Sequence, residues 1–284
     1  MRVERTRAPR RIEWVPVTRT QLLVLDFDGT LCLGDDPVLA YAAQVDQMLA
    51  EHGLTTNLPR PVRQIVAAGL GTDQLLVPEI SCLPDGTPEA AAQELTAEQP
   101  AAKNEAHPVS WPLQDGYQLT QLLAHQAGLT AAESGRCFRA ARRHLVAAGL
   151  ESTDLHAPVG AADLLEEMRR RVVVVLITNS PAEGFAPWLE VLGLSASFDA
   201  VINDARKPFG MPQALEQARS AGETTIAADQ MLSVGDIWRN DLAPVSIQGG
   251  TTILLDRFST QLGTPDHRVA DWDQAVPIMR RWAA

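Results

Sequence analysis

Cationic residues, cysteines and long apolar runs are all scarce in this chain. Its 24 lysines and arginines face 35 aspartates and glutamates, a formal net charge of -11, so it lacks the broadly positive surface that nucleic-acid binding requires. Three cysteines, Cys32, Cys82 and Cys137, are odd in number and far apart, with no CxxC or Cys/His spacing. That pattern excludes a disulfide framework and argues against a zinc site. The six histidines are scattered without metal-ligand spacing. No run of about 18 apolar residues is present to span a membrane, and the N-terminal MRVERTRAPRRIEW has no apolar middle of the kind a secretory signal carries. The expectation is a cytoplasmic protein without nucleic-acid or membrane partners. Its basic segment, residues 1–20, reads as a solvated tail.

What the chain does have is 284 residues and an apolar fraction of 45%, enough for one substantial core plus a subdomain. Five short apolar runs read as buried strands: QLLVLDF from Gln21, RVVVVLIT ending at Thr178, FDAVI from Phe198, QMLSV from Gln230 and TTILL from Thr251. Helical patterns separate them, which predicts an α/β fold, a Rossmann-like and mostly parallel sheet covered on both faces. In such sheets ligands bind beyond the carboxyl ends of the strands. The polar residues standing there are Asp26 and Asp28, Thr178 and Asn179, Asn203 to Lys207, and Gly235 with Asp236. Ser180, Pro181 and Glu183 have the spacing of a capping box, predicting a helix that opens at Ser180 with amides turned to an anion.

Between the first two strands lie about 120 residues, far beyond the 2 to 6 of an ordinary loop in such a unit. This insertion must fold by itself, and its pattern is helical. Asp36 and Pro37 open one helix, with Val38, Ala42, Val45 and Leu49 on one face and Gly53 at its end. Thr130 and Glu133 open another that runs to about Gly149. Residues 78–112 hold six prolines and read as a long loop with at most one helix, from Thr87 to Gln99. The expected division is a tail over 1–20, a core built from 21–35 and 155–284, and a helical cap over 36–154.

Asp26-Phe27-Asp28-Gly29-Thr30 puts two carboxylates two residues apart at a strand end. Three further motifs follow in order after apolar strands: ITNS with Thr178, RKP with Lys207, and GDIWRND with Asp236 and Asp241. Together they resemble the haloacid dehalogenase superfamily, in its phosphatase branch; the likeness covers both ends of the chain and omits the proline-rich part of the insertion. The resemblance implies a magnesium-dependent phosphomonoester hydrolase acting on a small phosphorylated metabolite through an aspartyl phosphate. In it Asp26 is the nucleophile, Asp28 the acid/base, and Thr178, Asn179 and Lys207 hold the phosphoryl group. Asp26, Asp236 and the Asp28 carbonyl ligate Mg2+, hard oxygen donors suited to that ion. Asp241 orients a metal-bound water or Lys207.

Asp28 is expected to stay protonated before attack because Asp26 and Asp236 lie nearby. Its presence argues against a dehalogenase or phosphonate hydrolase, branches that generally lack this second aspartate. A phosphomutase with the same nucleophile is an alternative, as is a non-catalytic protein-interaction scaffold on the same fold, and a homodimer is open. Cys32 and Trp238 read as packing residues. Arg206 adjoins Lys207, but the family pattern places the lysine directly before proline, as Lys207 stands before Pro208.

Overall fold

The computed structural model describes residues 19–82, 88–89 and 113–284. Six strands form one sheet in the order β3-β2-β1-β4-β5-β6, with every pairing parallel. They are β1 (Leu22–Leu25), β2 (Val173–Ile177), β3 (Ala200–Ile202), β4 (Met231–Gly235), β5 (Thr251–Leu255) and β6 (His267–Val269). The first five fall on the expected apolar runs, β4 extending one residue beyond its run to Gly235. The sixth is an addition: HRV is too short and too polar to read as a buried strand, and it forms because β5 offers its edge to it.

Side chains alternate across the sheet with period two. Leu23 and Leu25 with Val174 and Leu176 face one layer, formed by helices α5 (Ala161–Arg169), α6 (Ala186–Val191) and α9 (Trp272–Trp282). Leu22 and Val24 with Val173, Val175 and Ile177 face the opposite layer, where α7 (Met211–Arg219) and α8 (Ala243–Ser246) pack. Burial on both faces explains why these strands read as continuous apolar runs rather than alternating ones. Arg19, at the end of the basic segment, donates to the carbonyls of Arg169 and Val172 and pairs with Asp199 at 2.8 Å. Residues 1–18 lie outside the described residues, as does the Thr87–Gln99 helix expected from the sequence apart from residues 88–89.

The insertion contributes α1 (Asp36–Glu51), α2 (Val62–Leu70), α3 (Gly116–Gln126) and α4 (Ala131–Ala148). The apolar stripe of α1 packs against Ile65, Val66, Leu119, Leu123 and Cys137 in a cluster separate from both core layers. Each fully buried leucine there contributes roughly 2–3 kcal/mol. Thr130 and Glu133 form the reciprocal capping box the spacing predicts, and Gly149 ends that helix. The two ends of the insertion run side by side. Leu33 and His156 exchange backbone hydrogen bonds of 2.9 and 3.1 Å, and the Asp154 carboxylate accepts from the amides of Asp35 and Asp36.

One local expectation fails. The segment after β2 does not enter a helix at Ser180; the helix begins at Ala186, with Phe185 at its N-cap. Ser180 is otherwise engaged, because its amide donates to Thr178 Oγ1 (3.0 Å) and its hydroxyl donates to Asp28 Oδ2 (2.8 Å). The amide of Ala182 is taken by Asp204. A serine whose hydroxyl points into a site cannot also cap the turn that follows, so the anion-binding helix start expected there is withdrawn. No helix among the described residues is long and apolar enough to cross a membrane.

Candidate active site

The carboxyl ends of β1, β2 and β4 place the motif residues around one cavity of about 800 Å³, lined by Asp26, Asp28, Thr178, Asn179, Lys207, Asp236 and Asp241 from the core. Asp26 directly follows β1, and its amide donates to the Val234 carbonyl of β4 at 3.0 Å. The chain then turns so tightly that the Phe27 carbonyl accepts from the amides of Thr30, Leu31 and Cys32. Gly29 has φ +85°, and a Cβ there would stand 2.0 Å from Asp236 Oδ2. Only glycine lets the first motif approach the fourth this closely.

Lys207 is the cationic centre of the cluster. Its Nζ donates to Asp26 Oδ1 at 2.5 Å and to Asp241 Oδ1 at 2.6 Å. Asp241 Oδ2 accepts from the Ile237 amide at 3.0 Å, so this carboxylate holds the lysine and the turn together. Asn179 grips the backbone of Lys207 from both sides, accepting from its amide at 2.6 Å and donating to its carbonyl at 3.2 Å. Thr178 is buried, its hydroxyl oxygen already accepting from Ser180 while its hydrogen is free to turn elsewhere.

Burial pushes the Asp26 carboxyl from its ordinary 3.8 to about 7, against the opposing pull of Lys207 and with added repulsion from Asp241 and Asp28. Asp236 is raised well above its usual range, first by burial and then by the charges of Asp115, Asp26 and Asp241. For Lys207, burial acts downward, but Asp241 and Asp26 outweigh it and hold the ammonium above its ordinary value. Two carboxylates within hydrogen-bonding distance of one ammonium leave the lysine charged and the excess negative charge on the aspartates.

The residues fit a hard divalent cation. Oxygens of Asp26, Asp236 and Asp241 come within 4.8 Å of one another. Asp236 Oδ1 is buried and, among the described residues, meets no hydrogen-bond donor, an arrangement that costs free energy unless a cation or water stands against it. Asp241 spends its oxygens on Lys207 and the Ile237 amide, and Asp26 accepts from Lys207 on Oδ1 and from the Thr30 hydroxyl on Oδ2 at 3.2 Å, so Asp236 Oδ1 is the oxygen of this cluster with open capacity for a metal.

The insertion supplies residues that the sequence reading did not find. Asp115 caps α3 through the Gln118 amide (2.6 Å) and lines the cavity; burial raises its carboxyl to about 7. Tyr41, Tyr117 and Phe138 form an aromatic wall opposite the motif residues. Asp28 does not face only carboxylates, as expected, but also a cation: Arg142 Nη1 donates to its Oδ1 at 2.8 Å, with the Tyr117 hydroxyl at 3.2 Å. Arg142 lies on the buried face of α4 beside Ala141 and Leu145, and an arginine within an apolar stripe was the available signal. Trp238 is buried with Leu242, Ala243 and Leu254, and Cys32 is buried with its thiol pushed well up by desolvation, so both pack as expected.

Comparison with solved structures finds the same architecture. A predicted phosphoglycolate phosphatase from Haemophilus somnus 129PT is 15% identical, with a TM-score of 0.52, covering 92% of this chain and 98% of that one. CbbY from Rhodobacter sphaeroides, in complex with phosphate, is 15% identical with a TM-score of 0.51, covering 90% and 96%. A 2-haloacid dehalogenase from Pseudomonas syringae pv. Tomato DC3000 is 18% identical with a TM-score of 0.45, covering 93% and 99%. At such identities the likeness to the first two is one of fold. Among curated proteins no match is found. The family model described as haloacid dehalogenase-like hydrolase matches residues 20–244, which takes in all four motifs, and the chain belongs to that family of hydrolases.

Proposed function

We propose that this hydrolase is a magnesium-dependent phosphatase of small phosphorylated metabolites. Asp26 attacks the phosphorus and displaces the alcohol, whose oxygen takes a proton from Asp28. Water then attacks the phosphorus of the aspartyl phosphate, giving its proton to Asp28 and restoring the Asp26 carboxylate. Lys207 and the Thr178 hydroxyl hold phosphoryl oxygens through the transfer, and Asp241 and Asn179 fix Lys207 in place. A magnesium ion held by Asp26, Asp236 and the Asp28 carbonyl would offset the negative charge that otherwise repels a carboxylate nucleophile from a phosphate. The helical insertion serves as a cap that excludes bulk water and contacts the leaving group.

The observation that supports this reading is the presence of Asp28 beside Asp26 in one cavity. A carboxylate nucleophile displacing halide needs no proton donor for its leaving group, whereas an alkoxide does. The test is a phosphate-release screen over a broad panel of phosphomonoesters, with magnesium or excess chelator and beside Asp26→Asn. Metal-dependent release that vanishes in Asp26→Asn supports the proposal. Halide release from 2-haloacids without phosphate release replaces it with a dehalogenase, and isomerised sugar phosphate replaces it with a mutase.

A further inference from the structure

Arg142 stands behind Asp28 rather than in the cavity. It is 5% exposed and does not line the cavity. Its guanidinium lies 3.8 Å over the Trp188 ring, with the rings of Phe138, Phe27 and Phe185 between 5.6 and 6.0 Å away. Three of these four rings belong to the core, while Arg142 itself belongs to α4 of the insertion. The aromatic box fixes a planar cation whose remaining function is its 2.8 Å bond to Asp28 Oδ1.

The two oxygens of Asp28 are therefore unequal. Oδ1 is saturated by two donors from the insertion, Arg142 and Tyr117. Oδ2 accepts from the Ser180 hydroxyl, which can turn and accept instead of donate. Oδ2 is thus the oxygen that can carry a proton to a leaving group. We propose that Arg142 is a positioning residue for the general acid: it binds Oδ1, presents Oδ2 to the scissile oxygen, and makes acid catalysis depend on the cap being seated. This rests on the phosphatase reading above.

A leaving-group series separates this role from a merely structural one. General acid catalysis matters for alkyl phosphates, whose alkoxides are poor leaving groups, and scarcely for 2,4-dinitrophenyl phosphate. The quantity read is kcat/KM, which ends with departure of the alcohol and so omits the later water step common to all substrates. In Arg142→Met, kcat/KM should fall about 30- to 100-fold for alkyl phosphates and less than about threefold for dinitrophenyl phosphate. Arg142→Lys, which keeps charge but loses the planar fork, should fall between. Asp28→Asn should show the same steepened dependence, and adding Arg142→Met to it should cost little more.

Equal losses across the series, or none, would overturn the proposal. If Arg142→Met does not fold, Arg142→Lys and Tyr117→Phe read out the same slope, the latter removing the second donor to Oδ1. A wild-type enzyme that releases phosphate from no ester would instead sink the phosphatase reading on which the proposal stands.

Discussion

The metal-free protein should be more stable at about pH 5.5 than at about pH 8. Asp26 sits at about 7 in the fold against an ordinary 3.8, chiefly because burial penalises its charged form. The folded state therefore keeps a proton that the unfolded chain releases. This stability is fully present below about pH 4 and is lost as pH rises through about 7. Between about pH 5.5 and about pH 8 that one group accounts for about 2 kcal/mol, and Asp115, raised to about 7 by the same cause, acts in the same direction. For a domain of this size each kcal/mol is roughly 2–4 °C in Tm, so the expected drop from Asp26 is about 4–8 °C. The assay is thermal unfolding of chelator-treated protein at the two pH values, with and without magnesium and beside Asp26→Asn. Magnesium should abolish or invert the drop, since a cation against the carboxylates favours their ionised forms, and Asp26→Asn should shrink it. A chelated protein whose Tm is higher at about pH 8, with a pH response unchanged in Asp26→Asn, would refute the argument.

Three further outcomes follow from other contacts. Gly29→Ala should cost about 2 kcal/mol or more in urea unfolding, from the left-handed backbone and the collision with Asp236, and calorimetry should show weakened magnesium binding. Lys207→Met leaves Asp26 and Asp241 buried without their counter-charge and should destabilise the metal-free protein by about 3 kcal/mol; phosphate release should fall at least about 100-fold. Leu119→Ala, at a fully buried position in the insertion, should cost about 2–5 kcal/mol by urea unfolding, with kcat of the folded protein close to wild type because Leu119 does not line the cavity.

The core was legible because its signals are local. A strand buried on both faces must be apolar throughout, and the residue after it must be polar where the sheet meets solvent; Leu22–Leu25 followed by Asp26, and Val173–Ile177 followed by Thr178, carry that pattern in a few residues. The capping box at Thr130 and Glu133 is likewise a contact within one turn. The Ser180 capping box had the same spacing and failed because Asp28, 152 residues away, holds its hydroxyl, a competition no local window contains. The insertion-side residues were missed for the same reason. Asp115 reads as an ordinary helix cap and Tyr117 as a helix aromatic, and their place beside Asp28 depends on how α3 meets the sheet. Arg142 differs, since an arginine between Ala141 and Leu145 on a buried face implies a buried anion somewhere, though not which one.

The paired backbone of Leu33 and His156, with Asp154 clasping the amides of Asp35 and Asp36, has a meaning for how such a chain can be remodelled. Seen from the sheet, the long insertion begins and ends at nearly one point, so its internal length is invisible to the core: the closure entropy is set at the junction, and doubling the loop beyond it costs only about 0.6 kcal/mol. An insertion joined at such a junction acts as a cassette plugged into a fixed socket. A cassette of different length or helix count can replace it without a change in β1, β2 or the motif residues, provided its ends restore the acceptors for those two amides. The contacts to be rewoven are those the insertion makes with the site, the Arg142 and Tyr117 donors to Asp28 among them.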